Sequence, residues 1–448
     1  PSSCHGCGND GPICCLLCAN PWSWCSGCVV KHHVDLPFHK LEIWEGTSFV
    51  ATSLCAHGFI WHLGHGGVAC PRIPGDEEWV DLEEEKDAEG AQWEEETGGE
   101  TSAGSTLAIV HSTGVFSHQM KWCHCAGAPK RHMQLLKAGL FTASVTRPQT
   151  AFTFEVLDCF HIDALECKTS AMSFYQKVKC LTCNAFPMTV PVCRPPNFIA
   201  WRDLMVQKCF GFRHDVHKTP QEGDLVLFCP ACPQPGVILP EDWATLYEEW
   251  AVMMRLVTDG NFSAQSQKLR NPDDDVALTG SSEGYMVGYD RYEAHLNIAK
   301  ESKDGERQMN MDYSICNALN YNSTGMRNAL IIYDIGCQWG LKLAERVKCS
   351  PYLKIPLWMK ILIAIGKFHL SAHKRECYVR FTLNYLVGAG QIDGEILETL
   401  WAPFNKISSA ARSMTKAHRA EIYDDHMRDS NWKKLVGMSI YPKIFPSW

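Results

Sequence analysis

The sequence lacks any apolar run long enough to cross a membrane: the longest candidate, Leu357 to Ile365, falls far short of the about 20 residues a spanning helix needs and carries Lys360. That excludes an integral helical membrane protein. It also lacks a signal-peptide pattern, since it begins at Pro1 with no charged-then-apolar leader, and this fits a chain whose true N-terminus is missing. No internal repeat is visible, which argues against a solenoid. Nor is there an excess of positive charge, because the formal net charge is -8. That figure hides a split. Residues 76–100 hold 13 acidic residues and one lysine, a net of -12, so the rest of the chain is +4 (-8 minus -12). The acidic run reads as a solvated, disordered linker. The remainder is mildly basic, which permits DNA binding without demanding it.

What is abundant is cysteine, 23 residues, together with 19 histidines. Seven cysteines fall between Cys4 and Cys28, mostly in Cys-x2-Cys pairs with histidines just downstream. Disulfide scaffolds are small and secreted and lack that Cys/His pairing, so zinc in a reducing compartment is the better reading. The pairs are Cys4/Cys7, Cys15/Cys18 and Cys25/Cys28, followed by His32 or His33 and then His39. A two-residue spacer lets two thiolates grip one tetrahedral Zn²⁺ from a tight turn. A cross-braced arrangement would join Cys4/Cys7 to Cys25/Cys28, and Cys15/Cys18 to the histidines; Cys14 is an alternative to Cys15. A second set comprises His62, His65 and Cys70 with Cys123-x-Cys125 across the acidic stretch. A third is Cys229-Pro-Ala-Cys232, with His214 and His217 upstream. Cys180-x2-Cys183 has no evident partner pair.

At 448 residues the chain is too long for one ordinary domain. Composition divides it into a Cys/His/Trp-rich segment 1–72, the acidic linker 73–105, an intermediate region 106–240 with further cysteine pairs, and an α/β region 241–448. Three apolar runs in the last region have the length of buried strands: Ala251 to Thr258, Ala329 to Tyr333 and Ile361 to Ile365. Gln338 to Lys348 reads as an amphipathic helix, and a further helix is expected within Asp393 to Asn405. Strands alternating with helices predict an α/β sheet.

Asp259 and Asp334 each follow one of these runs directly, while Glu395 and Glu398 lie in the last expected helix. Carboxylates at neighbouring strand ends, faced by a helix, can hold two Mg²⁺ ions for phosphoryl transfer. Aspartates also end strands in ordinary turns, so the pattern alone leaves both readings open. His369, His373 and Cys377 stand at i, i+4, i+8, which would put them on one helical face, either as metal ligands or as polar packing.

Several strings resemble those of KDZ (Kyakuja–Dileera–Zisupton) transposases of fungi. They are Cys229-Pro-Ala-Cys-Pro-Gln-Pro-Gly-x-x-Leu-Pro240, Asp259-Gly-Asn-Phe262, Arg270-Asn-Pro272, Gly305-Glu-Arg-Gln-Met-Asn-Met-Asp-Tyr313, Tyr333-Asp-Ile335 with Cys337-Gln338, and Gly388-Ala-Gly-Gln-x-Asp-Gly-Glu-Ile-Leu-Glu-Thr-Leu-Trp401. Their shared order spans nearly the whole chain, and the N-terminal cluster is similar to the CxC2-like cysteine domain that accompanies these transposases. The resemblance implies an RNase H-like DDE domain preceded by small zinc-binding cysteine-rich modules. It also implies structural zinc, catalytic magnesium, transposon ends and target DNA as partners, homo-oligomers and a nuclear location. On that resemblance Asp259 and Asp334 are the two aspartates, Glu398 the glutamate with Glu395 as its rival, and His369, His373 and Cys377 the Cys/His signature before the glutamate. The insert between Tyr289 and Gly305 is shorter here than in the family, and the chain stops soon after the glutamate helix; an intact fold with lost activity is one expectation. The alternative is a non-enzymatic zinc-dependent DNA- or chromatin-binding protein with an inactive nuclease fold. A ubiquitin ligase is disfavoured by the absence of a standard RING pattern.

Overall fold

The computed structural model describes residues 2–72, 105–145, 148–190, 197–215, 217–260, 275, 277, 283–301 and 308–440. The acidic stretch 73–104, the string Arg270-Asn-Pro272 and residues 302–307 lie outside these residues, while most of the insert before Gly305 forms the helix Tyr289–Glu301. The chain is mixed α/β and forms two compact units, Pro1–Arg202 and Asp203–Trp448. The division falls inside the stretch 106–240 that composition groups as one. Among the described residues no helix is long and apolar enough to cross a membrane.

Among the described residues the first unit carries three sheets, the smallest a two-stranded pairing of Ser2–Ser3 with Asp10–Gly11. A four-stranded antiparallel sheet runs in the order Ser23–Trp24, Ile13–Cys15, Leu41–Trp44, Phe49–Thr52. Its core is small: Ile13, Trp24, Val29, Leu41, Leu54 and Phe59 are buried with Cys4 and Cys15 among them. So little apolar surface seldom folds without further cross-links. A five-stranded mixed sheet follows, in the order Leu140–Thr142, Thr150–Thr153, Ser105–His111, Gly114–Lys121, Ile60–His62. Ile60–His62 pairs in parallel with Gly114–Lys121. This pairing brings the segment before the acidic stretch beside the chain that follows it. The helices of this unit include Ser26–His32, Arg131–Lys137, Phe154–Cys167 and Ala171–Thr182. Each of the last two begins on a hydroxyl cap: Thr153 accepts from the Val156 N–H and Ser170 from the Ser173 N–H, which satisfies one free donor of the first turn in each case.

The second unit is built on three parallel strands in sequence order: β1 (Met254–Thr258), β2 (Asn328–Tyr333) and β3 (Lys360–Ala364). The apolar runs read from sequence are these strands to within a few residues. They are continuous rather than alternating because both faces are covered. Ala329 and Ile331 point into one core with Ile315, Leu319, Met326 and Trp339, while Leu330 and Ile332 point into the other with Met253, Ala364, Leu383 and Ala389. Helix α1 (Met309–Asn320) lies in the first of these cores. It supplies Asp312, 1% exposed, to a buried brace. The Arg346 guanidinium donates to both Asp312 oxygens, at 2.6 and 3.0 Å, and the Trp339 indole N–H donates to Asp312 Oδ1 at 2.8 Å. Arg346 also reaches the Trp339 carbonyl at 2.9 Å.

After β2 the chain turns at Asp334 into α2 (Gly336–Trp339), a 3₁₀ turn Gly340–Lys342 and a helix Leu343–Cys349. The expected helix at Gln338 to Lys348 is therefore present, with a tight turn inside it. After β3 come α3 (Lys367–Leu370) and α4 (Arg375–Phe381), then α5 (Ile396–Asn405) and the long α6 (Lys416–Ile440). One expectation is corrected here. His369, His373 and Cys377 do not share one helical face, because the helix stops at Leu370 and resumes only at Arg375. Lys374 sits between in an extended conformation (φ -61°, ψ 149°), and the period-four alignment is lost.

Candidate active site and metal centres

The parallel register sets the site. Thr258 pairs with Tyr333, so the next residues, Asp259 and Asp334, leave the sheet side by side at the carboxyl ends of β1 and β2. Ligands in open parallel sheets bind at that edge. The Asp259 carboxylate is held from two sides: Oδ1 accepts the Gly260 N–H at 2.7 Å and Oδ2 the Trp401 indole N–H at 3.3 Å. Trp401 belongs to α5, so the glutamate helix and the first aspartate are tied directly.

The turn before α5 presses against the end of β3. Gly394 has φ +85°, and a Cβ there would stand 2.8 Å from Ile332 Cγ2; a Cβ on Gly366 would stand 2.4 Å from Glu395 Oε1. Glycine at both positions is what lets Glu395 approach. Its carboxylate then accepts the Phe368 N–H at 2.8 Å, while the Lys367 N–H donates to the Asp393 carbonyl at 2.9 Å. Glu398 follows in the first turn of α5, where a carboxylate is favoured by the helix dipole.

His369 stands among these acids. Nδ1 is 3.6 Å from Asp334 Oδ2; Nε2 is 2.9 Å from Glu398 Oε1 and 3.4 Å from Glu395 Oε2. The hydrogen bond to Glu398 raises the pKa of His369, burial opposes that, and the charges of Asp334, Glu395 and Glu398 reinforce it. The same hydrogen bond lowers the Glu398 carboxyl. Asp334 is shifted upward, by burial first; His369 opposes, while Asp259, Glu398 and Glu395 add like-charge repulsion. This is a carboxylate-rich pocket with more negative charge than one imidazolium offsets, which is the electrostatic condition for cation binding. Ligand atoms of His369, Glu395 and Glu398 lie within 4.8 Å of one another.

The cysteine clusters form separate centres. On one tetrahedral zinc, two sulfurs stand about 3.8 Å apart, and a sulfur and a nitrogen about 3.6 Å apart. The first quartet is Cys4, Cys7, Cys25 and Cys28, with Cys7 and Cys25 sulfurs 3.7 Å apart. The second is Cys15, Cys18, His33 and His39. Its sulfur–nitrogen separations are 3.4 Å for Cys18 to His33 Nε2 and 3.3 and 3.5 Å for Cys15 and Cys18 to His39 Nδ1. This is a cross-braced pairing, joined by the helix Ser26–His32: Cys25 caps its start, Cys28 lies in its first turn, and His33 caps its end. His33 Nδ1 bonds to the Val29 carbonyl at 2.9 Å, which requires the proton there and frees Nε2 as a ligand. His32 instead stacks on Trp24 at 4.4 Å.

The third quartet is His65, Cys70, Cys123 and Cys125, without His62. Cys70 and Cys125 sulfurs are 3.8 Å apart, and His65 Nε2 lies 3.2 and 3.4 Å from Cys123 and Cys125. Without a cation these thiols cannot all ionise. The His124 backbone N–H leads in drawing Cys70 down to about 6, while Cys70 and Cys123 push Cys125 up to about 11. Paired soft donors at these separations fit zinc. The Cys229/Cys232 pair behaves otherwise. The two thiols interact, burial first and then Cys229 pushing Cys232 up to about 11, but His214 does not join them in a ligand group among the described residues. Cys180 and Cys183 also join no such group.

Residues 291–431 match the Kyakuja-Dileera-Zisupton (KDZ) transposase family, and residues 92–185 match the CxC2-like cysteine cluster associated with KDZ transposases. The chain thus contains one region similar to the KDZ transposase domain and one similar to the cysteine cluster associated with it. The KDZ match contains Asp334, His369, Glu395 and Glu398, with Asp259 upstream of it. The CxC2 match contains Cys123 and Cys125, while the cross-braced quartets precede it. No curated protein and no solved structure matches the chain.

Two functional side chains escaped the sequence reading. Trp401 follows Glu398 at i+3, a spacing that places both on one face of α5 and was available as a signal. Cys337 lies three residues after Asp334 inside a string already noted, but its partners are distant in sequence; Cys337, His373 and Cys377 form a further ligand group.

Proposed function

We propose that the chain acts as a DDE-type transposase, with the second unit an RNase H-like nuclease domain that cuts and joins DNA strands. One observation carries the reading: Asp334, Glu395 and Glu398 surround one point, marked by His369, at the carboxyl edge of a parallel sheet where Asp259 is the neighbouring strand end. Oxygen-rich donor sets of this kind suit magnesium. When bound, such ions activate an attacking oxygen and stabilise the leaving one. Asp259 and Asp334 would hold them from the sheet and Glu398 from α5, with Glu395 fixed by the Phe368 N–H as the alternative ligand. Trp401 orients the Asp259 carboxylate. His369 neutralises part of the acidic cluster while no metal is bound and must yield its Glu398 contact when one is.

In this reading zinc is structural, the cysteine-rich modules of the first unit engage DNA at transposon ends or target, the enzyme works as a homo-oligomer and the site of action is the nucleus. The test is a strand-cleavage and strand-transfer assay on the element's end sequences with Mg²⁺ or Mn²⁺. Wild type should nick, and Asp334→Asn should not. The short insert between Tyr289 and Gly305 favours a second reading, zinc-dependent DNA binding with an inactive nuclease fold. Binding without any metal-dependent nicking by wild type would select it.

A further inference from the structure

The interruption between α3 and α4 sorts three residues that the sequence aligns. His369 turns to the carboxylates, whereas His373 and Cys377 turn to Cys337. The backbone shows how: His373 N–H donates to the Leu370 carbonyl at 3.1 Å, closing the turn after α3, and Cys377 N–H donates to the Lys374 carbonyl at 2.9 Å, opening α4. Cys337 comes from α2, which starts two residues after Asp334. Its sulfur stands 3.5 Å from His373 Nδ1, the separation expected for two ligands of one tetrahedral zinc. The ligand atoms of all three residues lie within 4.8 Å of one another, and all three are half-buried.

We propose that Cys337, His373 and Cys377 bind one zinc ion, with a water in the fourth position. Two thiolates and an imidazole select a soft or borderline ion, while the neighbouring all-carboxylate edge selects a hard one, so the two metals sort themselves by donor chemistry. Three protein ligands with an open fourth position is a common zinc arrangement. The ion staples α2, which leaves the sheet with Asp334, to the start of α4. His369 lies between those anchors, so the staple sets its distance to Asp334. Zinc binding here does not depend on strand transfer.

The test uses the full chain, purified reduced, with zinc as the probe. Thiol alkylation followed by mass spectrometry should find Cys337 and Cys377 protected in the zinc-loaded protein and labelled after chelation. Cys316, 1% exposed in the same unit, serves as the fold control and should stay unlabelled in both states. Zinc content should fall by about one equivalent in the double variant Cys337→Ser/Cys377→Ser, and His373→Cys should retain it. With Co²⁺ replacing zinc, His373→Cys should intensify the thiolate charge-transfer band by one added sulfur. Equal labelling of Cys337 and Cys377 before and after chelation, or a Cys337–Cys377 disulfide in the reduced protein, would overturn the proposal. Metal content is read without DNA. A chain that holds this zinc and cuts nothing refutes only the nuclease reading, and one that cuts without it refutes only the staple.

Discussion

Replacing Asp312 by alanine tests what holds α1 against α2 and the helix Leu343–Cys349 in the second unit. The carboxylate is buried, receives both arms of the Arg346 guanidinium and accepts the Trp339 indole N–H. Removing it strands a buried guanidinium, which costs about 3–5 kcal/mol, and leaves a buried indole N–H without an acceptor, which costs about 1–3 kcal/mol. The two losses share one cavity and are not additive, so the expected cost is about 4–6 kcal/mol. For a unit of this size that lowers the midpoint of thermal unfolding by roughly 10–20 °C. Because the chain has two units that can unfold separately, a single global transition is the wrong readout. Hydrogen exchange followed on peptides covering β2 isolates the effect, since those amides open with the core. The double variant Asp312→Leu/Arg346→Met removes both charges, and should recover most of the loss, because burying an ion pair gains little over apolar packing. A cost below about 1 kcal/mol for Asp312→Ala would refute the argument, as would a double variant no better than the single.

Three further outcomes are expected. Chelation of the full chain should release about three zinc ions from the quartets of the first unit, with loss of protection throughout 2–72; retained structure there after complete metal removal would contradict the zinc assignment. His118 is 2% exposed among Phe38, Phe59, Trp61 and Phe116, and burial holds its pKa down at about 4. A histidine whose folded pKa lies below its unfolded value binds more protons when unfolded. First-unit stability should therefore fall as pH drops from about 6.5 to 4, by about 3 kcal/mol in all, and acid titration of His118→Leu should show a flatter curve. Asp334→Asn should abolish metal-dependent cleavage yet stabilise the metal-free protein at neutral pH. Burial and like-charge repulsion raise the Asp334 pKa, so its ionised form weakens the fold above that pKa; chemical denaturation of the metal-free protein at pH 7 measures the sign.

The local features were legible in the sequence for local reasons. A Cys-x2-Cys pair can grip a metal whatever surrounds it, so both N-terminal quartets could be proposed from spacing, down to the cross-brace; the choice of His33 over His32 could not. That choice depends on which ring meets Trp24 and which meets the sulfurs at the helix end. The buried strands were visible as continuous apolar runs, and the two aspartates as the residues that end them.

What the sequence determined by itself is therefore the ligand pairs, the strands and the acids at their ends, because each follows from spacing or hydropathy within a dozen residues. Tertiary structure decided which acids and histidines meet. The parallel register aligned Asp259 with Asp334 across 74 intervening residues (334 minus 259, minus one). Two glycines without a Cβ let Glu395 reach the strand ends. A single extended residue, Lys374, divided one apparent histidine face between a carboxylate cluster and a thiol pair. Periodicity carries no information about that division, because it turns on where a helix stops.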